Sequence, residues 1–111
     1  MTVNELFQMG DFKVLNEGAN PERIISEPYC CDLLSVAMAK MPAGAAWITV
    51  MGNINTLAVA TLTDAACIIL SEGGNLDEPA LSKAKEKGVT VLFTELPIFK
   101  AALTVYQRLN A

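Results

Sequence analysis

The sequence contains no histidine in its 111 residues. Histidine is the commonest general base in enzymes and the commonest side-chain ligand of metal ions. Its absence excludes a Ser-His-Asp triad and a Cys-His pair within this chain. The phosphate-binding motifs G-x-x-x-x-G-K-[ST] and G-x-G-x-x-G are also absent, which argues against an ordinary ATP or GTP hydrolase. We therefore predict no catalytic residues and expect a protein that is not an enzyme.

Cysteine is scarce, with three residues: the adjacent pair Cys30 and Cys31, and Cys67. A zinc site needs about four Cys or His ligands, so we predict no metal site and no cofactor. Adjacent cysteines seldom bridge each other because the geometry is strained. Cys67 lies within an apolar run, where we expect it to be buried. A reactive Cys31 is a minority hypothesis: a helix start would stabilise its thiolate, but the neighbouring Asp32 opposes this.

Basic residues are few, and no part of the chain concentrates them. The chain has eight Lys and Arg residues and twelve Asp and Glu residues, which gives a net charge of −4. Nucleic-acid binders carry a basic patch, so we predict no nucleic-acid partner. No apolar run approaches the roughly 20 residues of a membrane span, so we predict no membrane association. The first ten residues lack the regions of a signal peptide, and we expect a cytoplasmic protein.

Apolar runs alternate with helical patterns along the later two-thirds of the chain. This alternation is typical of a parallel sheet covered by helices. The predicted fold class is α/β, a three-layer α/β/α arrangement with a mostly parallel central sheet. The predicted strands are "FKVL" (12–15), "RIISEPYC" (23–30), "AAWITVM" (45–51), "AACIIL" (65–70) and "VTVLF" (89–93).

Helix starts and helix faces can also be read from the sequence. Thr2 and Glu5 form a capping-box pattern. Asp32 and Asp77 are predicted N-caps, and Asn53 or Asn55 is a further one. Trp47, Met38, Met41 and Met51 are expected in the core. The last helix is predicted to bury Phe99, Ala102, Leu103, Tyr106 and Leu109.

Polar residues follow the predicted parallel strands at their carboxyl ends, where ligands of open α/β sheets bind. The free N–H groups of the helices that start there suit a small anion or a nucleotide. The predicted ligand-binding residues are Asp32, Asn53, Asn55, Glu72, Gly73, Gly74 and Thr94. The same residues also have structural interpretations, as caps for the Asp and Asn side chains and as a tight turn for the glycine pair. The acidic groups at this edge would repel a phosphate that brings no cation.

Several motifs, in their order and spacing along the chain, resemble those of the DRTGG domain family. The family has a D-L-L-S-x-V-M helix start, a W-I-T strand and an N-x-x-A-V-A helix. The matching segments are "CDLLSVAM" (31–38), "WITVMGNINTLAVATLTDAACIIL" (47–70), "SEGG" (71–74) and "KEKGVTVLFTELPIFKAA" (85–102). The resemblance covers residues 3–109, so we expect one DRTGG-like domain over residues 1–111. Glu22-Arg23 replaces the family's Asp-Arg pair, Ser26 its Thr, and Cys31 a small residue.

The resemblance implies a fold like the N-terminal domain of the phosphocarrier-protein HPr kinase/phosphorylase, without that enzyme's catalytic domain. It also implies a regulatory or oligomerisation module. Our leading hypothesis is therefore a non-catalytic regulatory or protein-interaction module that forms a homodimer or binds another protein. The apolar composition, 52% of residues, supports a partner surface. The alternative is a small-ligand sensor that binds a nucleotide or another anion at the carboxyl ends of the strands.

Overall fold

A five-stranded sheet forms the centre of the protein, whose computed structural model describes residues 1–111. The strand order is β1-β5-β4-β3-β2. Strands β2 to β5 are parallel, and β1 pairs antiparallel with β5 at one edge of the sheet. The strands are β1 (Lys13–Asn16), β2 (Pro28–Cys30), β3 (Ala46–Thr49), β4 (Cys67–Leu70) and β5 (Val91–Phe93).

Five helices cover the two faces of the sheet, which confirms the predicted three-layer α/β/α fold. The helices are α1 (Val3–Gln8), α2 (Leu34–Lys40), α3 (Ile54–Thr63), α4 (Glu78–Lys87) and α5 (Ile98–Leu109). Helices α2, α3 and α4 pack on one face, and α1 and α5 pack on the other. None of these helices has both the length and the apolar character that a membrane crossing requires.

The two central strands are buried on both faces, as their continuous apolar sequence predicts. Trp47 and Ile68 face α2, α3 and α4, whereas Ile48 and Ile69 face α1 and α5. Cys67 is buried as expected, and burial raises the pKa of its thiol to about 12. The cysteine is therefore a small apolar core residue with no accessible thiolate.

The predicted buried face of α5 is wrong for three of its five residues. Phe99, Leu103 and Tyr106 are exposed, while Ala101 and Val105 are fully buried against the sheet. The physical reason is that α5 packs across β2 and β3, where small residues allow a close approach of helix and sheet. Met38 and Met51, predicted in the core, are exposed as well, whereas Met41 is buried.

Candidate functional site

Four loops meet where the parallel strands end, an edge that we name the carboxyl edge. Backbone hydrogen bonds connect these loops directly: the Gly73 N–H donates to the Thr94 carbonyl at 3.1 Å. The Asp77 N–H donates to the Gly52 carbonyl at the same distance, 3.1 Å. The loop after β4 therefore touches the loops after β3 and β5, and the predicted site residues do lie along one edge of the sheet.

Asp32 is not the N-cap of α2, contrary to the sequence prediction. Its carboxylate accepts hydrogen bonds from the Thr49 hydroxyl at 2.7 Å and from the Val50 N–H at 3.0 Å. Leu33 is the N-cap residue instead, and no side chain caps this helix. The carboxylate thus links the end of β2 to the end of β3. It accepts from a backbone N–H group, that of Val50, just past the last residue of β3.

Asn53 has the capping role that the sequence predicts. Its side-chain oxygen accepts from the Asn55 N–H at 3.0 Å and from the Thr56 N–H at 3.2 Å. The Thr56 hydroxyl donates to the Met51 carbonyl, which closes the turn before α3. Asn55 lies in the first turn of α3, and its exposed side chain is free of these bonds.

The glycine pair after β4 forms a tight turn, and each position requires glycine for a different reason. Gly73 has a φ of +72°, a left-handed conformation that favours glycine. Gly74 is required for space, since a Cβ there would lie 2.2 Å from the Val50 carbonyl oxygen. Glu72 is also left-handed, with a φ of +58°, and its carboxylate accepts from the Ile98 N–H at 3.3 Å. Thr94 is buried, and its hydroxyl accepts from the Leu96 N–H at 3.1 Å.

The strand order gives the carboxyl edge no reversal point, the feature at which open α/β sheets bind ligands in a crevice. Such a crevice arises where the strand order reverses direction, whereas β2, β3, β4 and β5 succeed one another across the sheet without reversal. Three surface cavities of about 140, 370 and 250 Å³ are lined by other residues than the predicted ones. No group of His, Cys, Asp and Glu is arranged to hold a metal ion. The edge is built chiefly from structural hydrogen bonds.

Cys30, at the end of β2, lacks the low thiol pKa that reactive cysteines have. Cys30 is exposed, but partial burial of its thiol raises its pKa, and the charge of Asp32 raises it further. The Cys31 thiol donates to the Leu33 carbonyl at 3.3 Å. A low-pKa thiolate is the usual requirement for a reactive cysteine, and Cys30 departs from that requirement.

An ion pair lies at the opposite end of the strands, and the sequence did not predict it. Arg23 donates from both terminal nitrogens to the Asp64 carboxylate, at 3.0 and 2.9 Å. Asp64 ends α3 in a left-handed conformation with a φ of +61°. The pair joins residues 41 positions apart, so no local pattern could have revealed it. Arg23 and Ser26, which stand at DRTGG motif positions, therefore have structural roles, since the Ser26 hydroxyl donates to the Ala43 carbonyl.

The substitution Asp64→Asn is expected to reduce stability at neutral pH but not in acid. The hydrogen bond from Arg23 holds the pKa of the Asp64 carboxyl below its usual range. A carboxyl with a lower pKa in the folded state stabilises the fold above its unfolded pKa of about 3.9 and loses this effect as the pH falls. Both side chains are partly exposed, so we expect a loss of less than about 1 kcal/mol.

Urea unfolding of the two proteins between pH 7 and pH 3 measures this effect. Asparagine tolerates the left-handed backbone at this position, so the substitution isolates the charge. The difference in free energy of unfolding should shrink as the pH falls. A difference that stays constant across this range would contradict the assigned role of the carboxylate.

The outer face of α5 carries an exposed apolar surface of Phe99, Leu103 and Tyr106, which we name the α5 stripe. These residues lie four and three positions apart, so they share one side of the helix. Ala101 and Val105 bury an adjacent side of the same helix against the sheet. The apolar arc of α5 is thus wider than its contact with its own sheet.

No protein-family model matches the chain, and no curated protein matches its sequence. A solved structure has a similar fold: the CBS and DRTGG domains of the regulatory region of Clostridium perfringens pyrophosphatase, complexed with the activator diadenosine tetraphosphate. The TM-score is 0.75 at 15% sequence identity. The likeness covers 94% of this chain but only 45% of that one. The protein therefore has a DRTGG-like α/β/α fold, which confirms the fold that its motifs predict.

Proposed function

We propose that this chain is a non-catalytic regulatory module that forms a homodimer through the α5 stripe. The exposure of the stripe is the observation that carries the proposal. Phe99 is 73% exposed, and Leu103 and Tyr106 beside it are also exposed. Contiguous exposed apolar side chains of this size mark interaction sites more often than free surface, and aromatic residues are enriched among interface anchors.

The arrangement of the stripe suits a second copy of the same chain. An interface with two-fold symmetry must be self-complementary. Two antiparallel α5 helices that cross near Leu103 would bring Phe99 of each copy close to Tyr106 of the other, since both aromatics lie at similar distances from the crossing point. Aromatic pairs of this kind add about 0.5–1.5 kcal/mol beyond the area they bury. The exposed polar residues Lys100 and Gln107 would form the rim.

The comparison with the clostridial pyrophosphatase supports a regulatory role, because the similar structure belongs to a regulatory region. This chain spans less than half of that structure. That the module activates an attached enzyme is therefore included in the proposal. In such an arrangement the module would transmit its state to a catalytic partner through its interfaces. The residues of the carboxyl edge would then hold the loops in place.

Phe99→Glu is expected to convert the homodimer to a monomer. The substitution would replace a hot-spot aromatic of the proposed interface with a charge, which costs about 2 kcal/mol or more and weakens dimerisation at least about thirtyfold. Sedimentation equilibrium over a range of concentrations measures the dissociation constant. The matched control is Leu62→Glu, because Leu62 is 72% exposed but lies on α3, across the sheet.

The control should dimerise like the wild type. A wild-type protein that stays monomeric at the highest soluble concentration would sink the dimer proposal. Equal weakening by both substitutions would show that added charge, rather than the α5 stripe, controls association.

The second candidate function is a nucleotide sensor at the carboxyl edge. Two observations favour it: the predicted site residues do gather along this edge, and the similar clostridial structure was solved with diadenosine tetraphosphate. Asn55 and Gly73 are exposed there, and the apolar side chains of Leu33, Met51 and Ile54 are exposed as well. Such side chains can contact a base, and Asn55 can donate to its polar edge.

A nucleotide that binds only the folded state must raise the melting temperature. At ten times its dissociation constant it would stabilise the protein by about 1.4 kcal/mol, a shift of roughly 5 °C or more. The panel contains diadenosine tetraphosphate, ATP, ADP, AMP and phosphate, each with and without Mg²⁺. Asn55→Asp should abolish the shift, whereas Gln107→Glu, which adds the same charge on α5, should preserve it. No shift with any ligand at millimolar concentration would exclude this candidate.

A further inference from the structure

Helix α3 has no charged side chain in its ten residues, although it lies on the surface. Its outward side exposes Ile54, Ala58, Thr61 and Leu62. These positions are separated by four, three and one residues, so they form one continuous side of the helix. A surface helix ordinarily places charged or polar residues opposite its core-facing side. Asn55 and Thr61 are the polar side chains that this outer side also exposes, and neither is charged, so α3 departs from the usual pattern.

A groove of about 250 Å³ runs between this side of α3 and the neighbouring helix α4. Ile54, Ala58 and Leu62 supply its apolar lining, and Lys83 and Lys87 of α4 border it. The two lysines are four positions apart, which places their ammonium groups about one helical turn apart along the groove. Glu86 pairs with Lys83 at 3.5 Å, but both groups are partly exposed and the pair is weak. In a chain with a net charge of −4, this pair of cations is a local exception.

We infer that this groove binds an acidic amphipathic helix of a partner protein. The apolar lining matches the i, i+3/i+4 and i+7 anchors with which such a helix enters a groove. The two lysines match carboxylates that stand one turn apart on the flank of the bound helix. A helix of two to three turns fits, since α3 itself is about 15 Å long by its rise per residue.

Neither the α5 stripe nor the outer side of α4 of a second copy suits this groove. The α5 stripe is the other large apolar surface, and Lys100, the residue that follows Phe99, borders it. Helix α5 contains no Asp or Glu, so it offers no carboxylate to Lys83 and Lys87. The outer side of α4 carries acids, Glu78 and Glu86, but Ser82 and Lys85 between them provide no apolar anchor. The groove is therefore distinct from the proposed homodimer contact, and the failure of one proposal leaves the other unchanged.

A pair of synthetic peptides tests this inference on the full chain. Both are helices of about 15 residues, the length at which an isolated helix becomes marginally stable. Both have leucines at i, i+4 and i+7 spacing; one has glutamates beside them and the other has lysines. The amide resonances of the labelled protein are followed by NMR during titration. We expect the glutamate peptide to shift resonances of α3 and α4, including Leu62 and Lys87, and the lysine peptide to leave them unchanged.

Variants of the protein assign the effect to the groove. Leu62→Asp should abolish binding of the glutamate peptide, and Leu62→Ala should weaken it; Leu62 is exposed, so both variants retain the fold. The double substitution Lys83→Glu with Lys87→Glu should weaken that peptide at least about tenfold, the equivalent of 1.4 kcal/mol, and should create binding of the lysine peptide. Gln8→Glu, which adds a negative charge on α1 across the sheet, should leave binding intact. The inference is overturned if the glutamate peptide does not bind, if its shifts map to α5, or if charge reversal does not exchange the two peptides.

Discussion

Replacement of Trp47 by alanine is expected to destabilise the protein by about 3–5 kcal/mol, the range for large aromatic residues removed from a core. Trp47 is fully buried in the middle of β3, within the core between the sheet and helices α2, α3 and α4. Its indole N–H donates to the Cys31 carbonyl at 2.9 Å. Alanine would leave a cavity and also deprive that carbonyl of its donor. Since domains of this size are stable by only about 5–15 kcal/mol, the loss is a large part of the total.

Urea unfolding followed by circular dichroism measures this loss, because the variant lacks the only tryptophan of the chain. Trp47→Phe retains much of the ring volume but not the hydrogen bond, and should lose roughly 1–3 kcal/mol. Leu62→Ala, on the surface of α3, should change stability by less than about 0.5 kcal/mol. Equal losses for Trp47→Ala and Trp47→Phe would contradict the role of the cavity.

Gly74→Ala is expected to destabilise the protein by about 3 kcal/mol, near the upper end of the usual range for overpacking. The added Cβ would lie 2.2 Å from the Val50 carbonyl oxygen and 3.0 Å from the Ser71 carbonyl oxygen. Both are backbone atoms that follow buried strands, so neither can move without disturbing the sheet. The loops after β3 and β4 would be pushed apart, and the Gly74 N–H bond to the Ser71 carbonyl at 2.9 Å would be strained.

The neighbouring Gly73 provides a matched control. No atom lies within 4 Å of a Cβ placed there, but its φ is +72°. Gly73→Ala should therefore cost only the left-handed backbone penalty of about 1–2 kcal/mol. Thermal unfolding of the two variants, measured side by side, separates the effect of the steric clash at Gly74 from that of the left-handed backbone at Gly73. If Gly73→Ala were the more damaging of the two, the close approach at Gly74 could not be the cause.

Local signals in the sequence were sufficient for most helix ends. The Thr2 and Glu5 capping box, the Asn53 cap and the Asp77 cap all form as predicted. Gly88 ends α4 with a φ of +68°, as a helix-terminating glycine should. Each of these features needs only neighbours within four residues, so the chain determines them before any tertiary contact forms.

The error at Asp32 shows where local signals become ambiguous. An aspartate before a helix can accept from that helix or from a neighbouring strand, and both arrangements satisfy its carboxylate. Strand β3 lies beside β2 and presents Thr49 and Val50, which supply two donors together. Only the pairing of the strands decides between the alternatives. The order of the strands likewise decides that the carboxyl edge has no reversal point, although the predicted site residues gather there.

The sequence by itself determined the α/β/α fold, the buried central strands and the caps, because periodicity and capping act over a few residues. Tertiary structure alone decided which side of α5 is buried, since that helix is apolar around more than half of its circumference and its sheet covers only part. It also decided the Arg23–Asp64 pair, 41 residues apart, and the groove between α3 and α4. These features depend on which elements become neighbours, and the spacing of residues along the chain does not contain that information.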